Sequence, residues 1–422
     1  MGTLAVSSKL SPTEVQRGLR YSIIEGVLST VHLNVTAGAF LTGFALLLGA
    51  GPFEIGLLGA LPFISQLFQF AGAYLEERLG VRRMLVALTA GISRSLWALI
   101  ALLPFLPLLN ATKIGLFIGI LAVSQALLGI AGNAWTSMMT DLVPPRQRGR
   151  YFGLRNTICA VSAMISTFGA GRLLDSYRTV GRDADGYAII IAAAVITAIA
   201  GVIVLARQPE PPMQRAARVD LRALFGAPIR HMQFRTLSIV AAGWALVTGI
   251  AGPFFNAFGI QNLKLDFATL ALFGVATSAV SIVTQPYIGR LQDRYGSRNV
   301  LTWSVIGVVL LPWGWVLSTP TFLVPLWLTS IFSGVFWPGI NQGWLNLVME
   351  RAPSEGRGAY VASFGAITGV GTFIAGLLGG TVAAALGGAQ IAIGPLVFEH
   401  YSILFALSSL GRLTMIWVLR RL

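Results

Sequence analysis

Long apolar runs, each closed by a short polar or basic loop, recur along the whole chain. They read as spans at about 20–48, 53–78, 84–109, 112–140, 151–174 and 186–206, then 236–260, 266–289, 299–319, 321–349, 358–387 and 400–419. Each reaches the ~20 residues that a helix needs to cross a ~30 Å hydrocarbon core. Continuous runs of this kind predict helices rather than alternating barrel strands, because lipid offers no partner to an open backbone N–H or C=O. The pattern therefore predicts an all-α polytopic membrane protein of twelve transmembrane helices. Its domains are an N-terminal six-helix bundle at 1–206, a cytoplasmic linker at 207–235 and a C-terminal six-helix bundle at 236–422. Within the linker, residues 220–225 suit a short amphipathic helix on the membrane surface. Residues 388–399 read as loop or partly as helix, and the polar residues 1–20 carry no removable signal peptide.

Composition agrees with this reading: 55% of residues are hydrophobic and 11% charged, with a mean hydropathy of +0.74, against roughly 25% charged in soluble domains. The net charge of +14 raises the question of a nucleic-acid partner, and its distribution answers it. If the chain starts inside and crosses twelve times, 23 of the 30 basic residues fall on inside segments, Arg155 among them, and five fall outside. That asymmetry fits the positive-inside rule, so the expected partners are the bilayer and its anionic cytoplasmic headgroups, not nucleic acid. The expected compartment is a bacterial inner membrane with both termini cytoplasmic, and the expected state is a monomer. One cysteine, Cys159, and three histidines far apart in sequence form neither a metal set nor a nucleophile and base, so no metal, cofactor or enzymatic activity is expected.

The chain is duplicated. Trp135, Asp141, Pro144, Arg148, Gly149 and Tyr151 reappear 209 positions later as Trp344, Glu350, Pro353, Arg357, Gly358 and Tyr360. Gln69, Glu77, Arg78, Gly80 and Arg82 reappear at an offset of 216 as Gln285, Asp293, Arg294, Gly296 and Arg298. A weaker third match pairs residues 37–40 with 251–254 in spans one and seven. Each half carries the three in the same order.

At these residues the chain resembles the major facilitator superfamily of secondary transporters. The Glu77 to Arg82 and Asp293 to Arg298 segments look like its acidic-Arg-x-Gly-x-Arg loop after the second span of each half, and Asp141 to Gly149 and Glu350 to Gly358 like its acidic-x-x-Pro loop after the fourth. Ala73 stands where the family usually has Gly, whereas Gly289 keeps it. Span five lacks the Gly-Pro pair usual in the family's drug antiporters. The resemblance implies a cytoplasmic gate of Glu77, Arg78, Arg82, Asp141, Arg148, Asp293, Arg294, Arg298, Glu350 and Arg357. Charge-assisted pairs there would break and re-form as two halves rock. The plainer reading is that these charges anchor helix ends.

Cargo chemistry needs polar groups inside the spans, where they are costly unless paired or wetted. Span one offers Glu25 and His32, seven residues apart on nearly one helix face, then Asn34. Counted from Arg20, His32 lies ~18 Å deep and Glu25 ~7 Å. His32 reads equally as a proton or anion site and as a neutral ring satisfied by one hydrogen bond. Glu25 reads as a mouth-lining ion pair or a proton carrier. Arg94 in span three and Arg412 in span twelve require partners, and in the superfamily these spans support the cavity from outside. From the spans that line the cavity in that family come Gln125, Asn133, Asn256, Trp337, Asn341 and Gln342. At Trp337 and Pro338 a loosened helix either exposes carbonyls to substrate or merely kinks. The expected function is alternating-access transport of a small organic solute, with proton coupling as one option. The alternatives are a membrane-embedded assembly factor or a lipid-handling protein on the same fold.

Overall fold

A computed structural model describes residues 10–212, 230–353, 357–387, 389, 391–393 and 396–421. The chain divides into two compact units. The first comprises Met1–Leu41 and Ser65–Arg218, and the second Thr42–Ile64 and Val219–Leu422. The expected surface helix at 220–225 lies outside the described residues.

In the first unit α1 (Pro12–Val35) packs on α6 (Arg148–Thr179) and α7 (Asp183–Ala206), while α4 (Arg82–Leu102) packs on α5 (Asn110–Leu142) and α7. Helix α1 opens earlier than the apolar pattern indicates. The Ser11 hydroxyl accepts the Glu14 N–H at 3.3 Å, the Ser11 N–H donates to the Glu14 carboxylate at 2.8 Å, and Pro12 fills the first helical position. Such a capping box satisfies orphan donors, so polar residues 12–20 become helix rather than tail. The helix ends where Thr36 turns its N–H and its hydroxyl onto the His32 carbonyl, at 3.0 and 2.7 Å. Gly38, at φ +56°, then starts α2 (Gly38–Leu47), inclined by 41° to α1. Helix α3 (Pro52–Leu79) follows, with residues 52–64 in the second unit and the rest in the first.

The second unit interrupts its helix in the corresponding place, without the sharp bend of α1 and α2. Helix α8 (Met232–Gly249) stops before Pro253, and α9 (Phe254–Gln261) resumes the span. The third sequence match thus marks the interruption of spans one and seven. Next come α10 (Phe267–Tyr295), then α11 (Ser297–Val308) and α12 (Leu311–Val316), which divide span nine, then α13 (Val324–Arg351), α14 (Arg357–Ala385) and α15 (His400–Leu419). Leu237, Trp244, Leu301, Val305, Ile340 and Leu347 form its buried core. Residues 391–393 pair antiparallel with 396–398 as strands β1 and β2, Ile391 opposite Phe398. The stretch expected as loop or partial helix therefore contains a hairpin, in keeping with its β-branched and aromatic side chains.

Among the described residues ten helices are long and apolar enough to cross a membrane, and the bent pair α1 and α2 makes up to eleven. Helix α13 has 28 residues but is not one of them. Thr329, Ser330, Ser333, Asn341, Gln342 and Asn346 dilute its apolar character.

Candidate functional site

The first unit encloses a cluster of charges. Glu25 is 4% exposed and Arg94 7%, and Nη2 of Arg94 lies 3.2 Å from Oε1 of Glu25. From α6, Nη2 of Arg155 approaches Oε2 of the same carboxylate at 3.5 Å. Ser29, one turn on from Glu25, donates its hydroxyl to Oε1. Each arginine has a second anchor: Arg94 Nη1 donates to the Ala198 carbonyl at 3.4 Å and Arg155 Nε to the Ser22 carbonyl at 3.2 Å. The Arg155 guanidinium also lies 4.6 Å from the Trp135 ring centroid, a cation–π contact. Gly26 makes room for it, since a Cβ there would come within 2.7 Å of Arg155 Nη2.

Glu25 is therefore the carboxylate of a buried ion pair. Arg155, which its place in sequence puts on an inside segment, is the residue that the pattern misses. His32 shares the face of Glu25 and is 4% exposed. Its ring packs edge-on against Trp97 at 5.9 Å, and Nδ1 has no partner. Asn34 donates to the Thr30 carbonyl of its own helix at 2.9 Å. Gln125 is half-buried on α5.

A second cluster lies at the start of α4 and the end of α5 in the same unit. Arg82, with a side chain 1% exposed, reaches Asp141 at 2.5 Å and the Pro211 carbonyl at 2.8 Å. Glu76 accepts from the Ser137 hydroxyl and, at 3.3 Å, from Asn133. Asn133 thus belongs to this cluster, and Glu76 rather than its neighbour Glu77 is the buried acid. Residues just after α7 strap it. The Glu210 carboxylate accepts the Arg82 N–H at 2.6 Å and the Arg83 N–H at 3.3 Å, capping α4, whose N-cap residue Val81 has no capping side chain. A cavity of about 500 Å³, lined by Glu76, Arg82, Ser137, Asp141, Pro144 and Pro211 among others, opens beside these groups. Arg148 donates to the Thr140 carbonyl at 2.7 Å and the Val143 carbonyl at 3.4 Å, satisfying the end of α5. Arg78 is exposed.

The second unit repeats this junction with altered chemistry. Gln292 stands at the position of Glu76 and Asn346 at that of Ser137, and Asn346 donates to Gln292 at 2.6 Å. Arg298, the counterpart of Arg82, turns instead to the Leu419 carbonyl at 3.1 Å and to that of Arg420, closing the end of α15. Glu350 accepts from Ser297 at 2.6 Å. Asp293 and Arg294 are exposed, the latter 5.2 Å from the Tyr295 ring centroid. The Arg357 side chain lies outside the described residues.

Prolines in this unit leave carbonyls that neighbouring helices satisfy. Pro338 has no N–H for the Gly334 carbonyl, which accepts from Thr284 at 2.8 Å and Ser281 at 3.2 Å on α10. The carbonyl expected to be open to substrate near Trp337 is therefore occupied. Likewise Pro312 cannot reach the Val308 carbonyl, and Arg412 of α15, 3% exposed, donates to it at 2.8 Å. Trp337 itself packs 6.2 Å from Trp244. Asn256 and Gln342 are half-buried and Asn341 is exposed.

Ten to eleven membrane-length helices among the described residues, repeated motifs in two related halves and an ion pair buried within the helices define a class of membrane transport proteins. Residues 26–376 and 247–420 match the Major Facilitator Superfamily, and the chain belongs to it. It is 24% identical to the multidrug resistance protein MdtG of Serratia proteamaculans (strain 568) over 283 residues, a match spanning 66% of this chain and 66% of that protein. It is 27% identical to the class H tetracycline resistance protein of Pasteurella multocida over 144 residues, 33% of this chain and 34% of that one. Two solved structures share the fold. One is a mutant of the nucleoside transporter NupG, with TM-score 0.73, 13% identity and coverage of 96% and 99%. The other is a D-xylose-proton symporter, with TM-score 0.70, 15% identity and coverage of 95% and 97%. These relatives are transporters, not enzymes.

Proposed function

We propose that the chain is a secondary active transporter that moves a small organic solute by alternating access. It would work as a monomer in a bacterial inner membrane, with both termini in the cytoplasm. The observation that carries this reading is the cluster of Glu25, Arg94 and Arg155. Buried charges inside spans are expensive and stay where a solute or ion pathway uses them. The relatives named for multidrug and tetracycline resistance support an organic solute. We assign coupling to a proton gradient to Glu25 and His32, the two buried titratable groups of span one.

Purified protein in proteoliposomes should accumulate or release a solute from a broad organic panel when a proton gradient is imposed. A folded preparation that moves none of the panel would sink the transport reading. Unchanged gradient-driven accumulation in both Glu25→Gln and His32→Ala, each verified as folded, would remove the coupling assignment alone. A C-terminal green fluorescent protein fusion should fluoresce in cells and a C-terminal alkaline phosphatase fusion should be inactive; the reverse would overturn the orientation.

A further inference from the structure

The charges gathered around Glu25 do not balance among themselves. Residues 21–35 of α1 contain Glu25, residues 84–102 of α4 contain Arg94 and residues 151–171 of α6 contain Arg155. Residues 114–140 of α5 and 186–206 of α7 contain no charge at all. One carboxylate thus faces two guanidinium groups, and arginine does not deprotonate in proteins. Two guanidinium groups that share one carboxylate leave a net positive charge, which a second anion would neutralise.

The geometry singles out the arginine on which that anion would dock. Glu25 is held closely by Arg94 at 3.2 Å but only at 3.5 Å by Arg155, well beyond the ~2.8 Å of a good charge-assisted bond. Arg155 is also the more open of the two, its side chain 14% exposed against 8% for Arg94. Its Nε is committed to the Ser22 carbonyl and its face to Trp135, which orient the group while leaving other N–H donors of the fork for a ligand. Arg94 Nε and Trp135 Nε1, both buried and without a hydrogen-bond partner, add unused N–H donors in this region.

We infer that the transported solute is an organic acid, and that its carboxylate or phosphonate group docks on the Arg155 guanidinium over Trp135. Glu25 and Arg94 form the neutral pair behind it. This rests on the transport reading and narrows it to a substrate class. Glu25 acts as a positioning residue: it competes for Arg155 when the site is empty and prevents the arginine from withdrawing.

Matched pairs that differ only in charge supply the test. The full-length protein in detergent is titrated with benzoate, phenylphosphonate and hexanoate, and with benzamide and hexanamide, following thermal unfolding. At least one acid should raise the unfolding temperature saturably while its amide does not. Arg155→Gln should weaken that acid's apparent affinity tenfold or more, and Arg155→Lys should restore part of it. If Arg155→Gln does not fold, Arg155→Lys and Trp135→Phe give the same reading, each with a measurable loss against wild type. Stabilisation by no acid, equal stabilisation by acid and amide, or wild-type affinity in the Arg155 and Trp135 variants would each overturn the inference. An acid that binds in detergent but is not moved in proteoliposomes would overturn the transport reading and leave the site. A neutral or cationic solute moved at wild-type rate by Arg155→Gln would do the opposite.

Discussion

Glu25 is the residue on which its own cluster depends, because it alone offsets two guanidinium groups, one buried and one partly buried. Glu25→Gln leaves both unpaired and should cost ~3–5 kcal/mol of stability. Arg155→Gln leaves a neutral Glu25 and Arg94 pair and should cost far less. Thermal unfolding of the two purified variants decides this, and equal losses would contradict the charge count. Gly26→Ala should mimic Arg155→Gln, since its methyl would displace the guanidinium. Glu25 and Arg94 were legible in sequence because charges inside apolar runs are rare. Arg155 was not. It sits four residues past the expected start of its span, where an arginine ordinarily faces water, and only the packing of α6 on Gly26 and Ser22 of α1 brings it inward.

At the scale of the helix, the breaks and their repair are governed by where backbone groups find partners. The two interruptions in spans one and seven lie at the residues of the weakest repeat, so the sequence did mark them, although as a similarity and not as a bend. The side chains that close the freed carbonyls could not be read, because Thr284, Ser281 and Arg412 come from other helices. Replacing Thr284 with Val and Ser281 with Ala together should cost ~1–3 kcal/mol by leaving the Gly334 carbonyl unsatisfied. The loss should shrink when Pro338→Ala returns an N–H to that carbonyl, and a cycle without this coupling would refute the assignment. The capping of α4 by Glu210 gives a second expectation at this scale. Glu210→Ala should destabilise the first unit by ~1 kcal/mol and speed hydrogen exchange at the Arg82 and Arg83 amides more than elsewhere. Uniform exchange would argue against a cap.

Over the whole molecule, duplication explains both what was readable and what was not. Two offsets, 209 and 216, carry Ser137 and Glu76 onto Asn346 and Gln292, so the contact between the second and fourth spans is retained in both units. Its chemistry has diverged: an acid and a hydroxyl in one unit, two amides in the other. Arg82 is sealed against Asp141, whereas Arg298 caps a helix end. Identity at matched positions therefore located the junctions but not their bonding, which depends on neighbours that the repeat does not share. Arg82→Gln should accordingly be the more damaging of the two equivalent substitutions, read as the fall in unfolding temperature; an equal or larger fall for Arg298→Gln would mean that the junctions had not diverged in strength.

The unequal charges around Glu25 also bear on electricity. An empty cluster with two guanidinium groups and one carboxylate carries one positive charge, and binding of a monovalent acid cancels it. Moving one elementary charge through the full membrane potential is worth ~2.3 kcal/mol per 100 mV, so a voltage across the membrane acts on the unloaded protein and leaves the loaded one nearly indifferent. An imposed potassium diffusion potential should therefore alter the maximal transport rate through the return step while barely changing exchange of bound solute. Voltage-independent net transport would place the cluster outside the field.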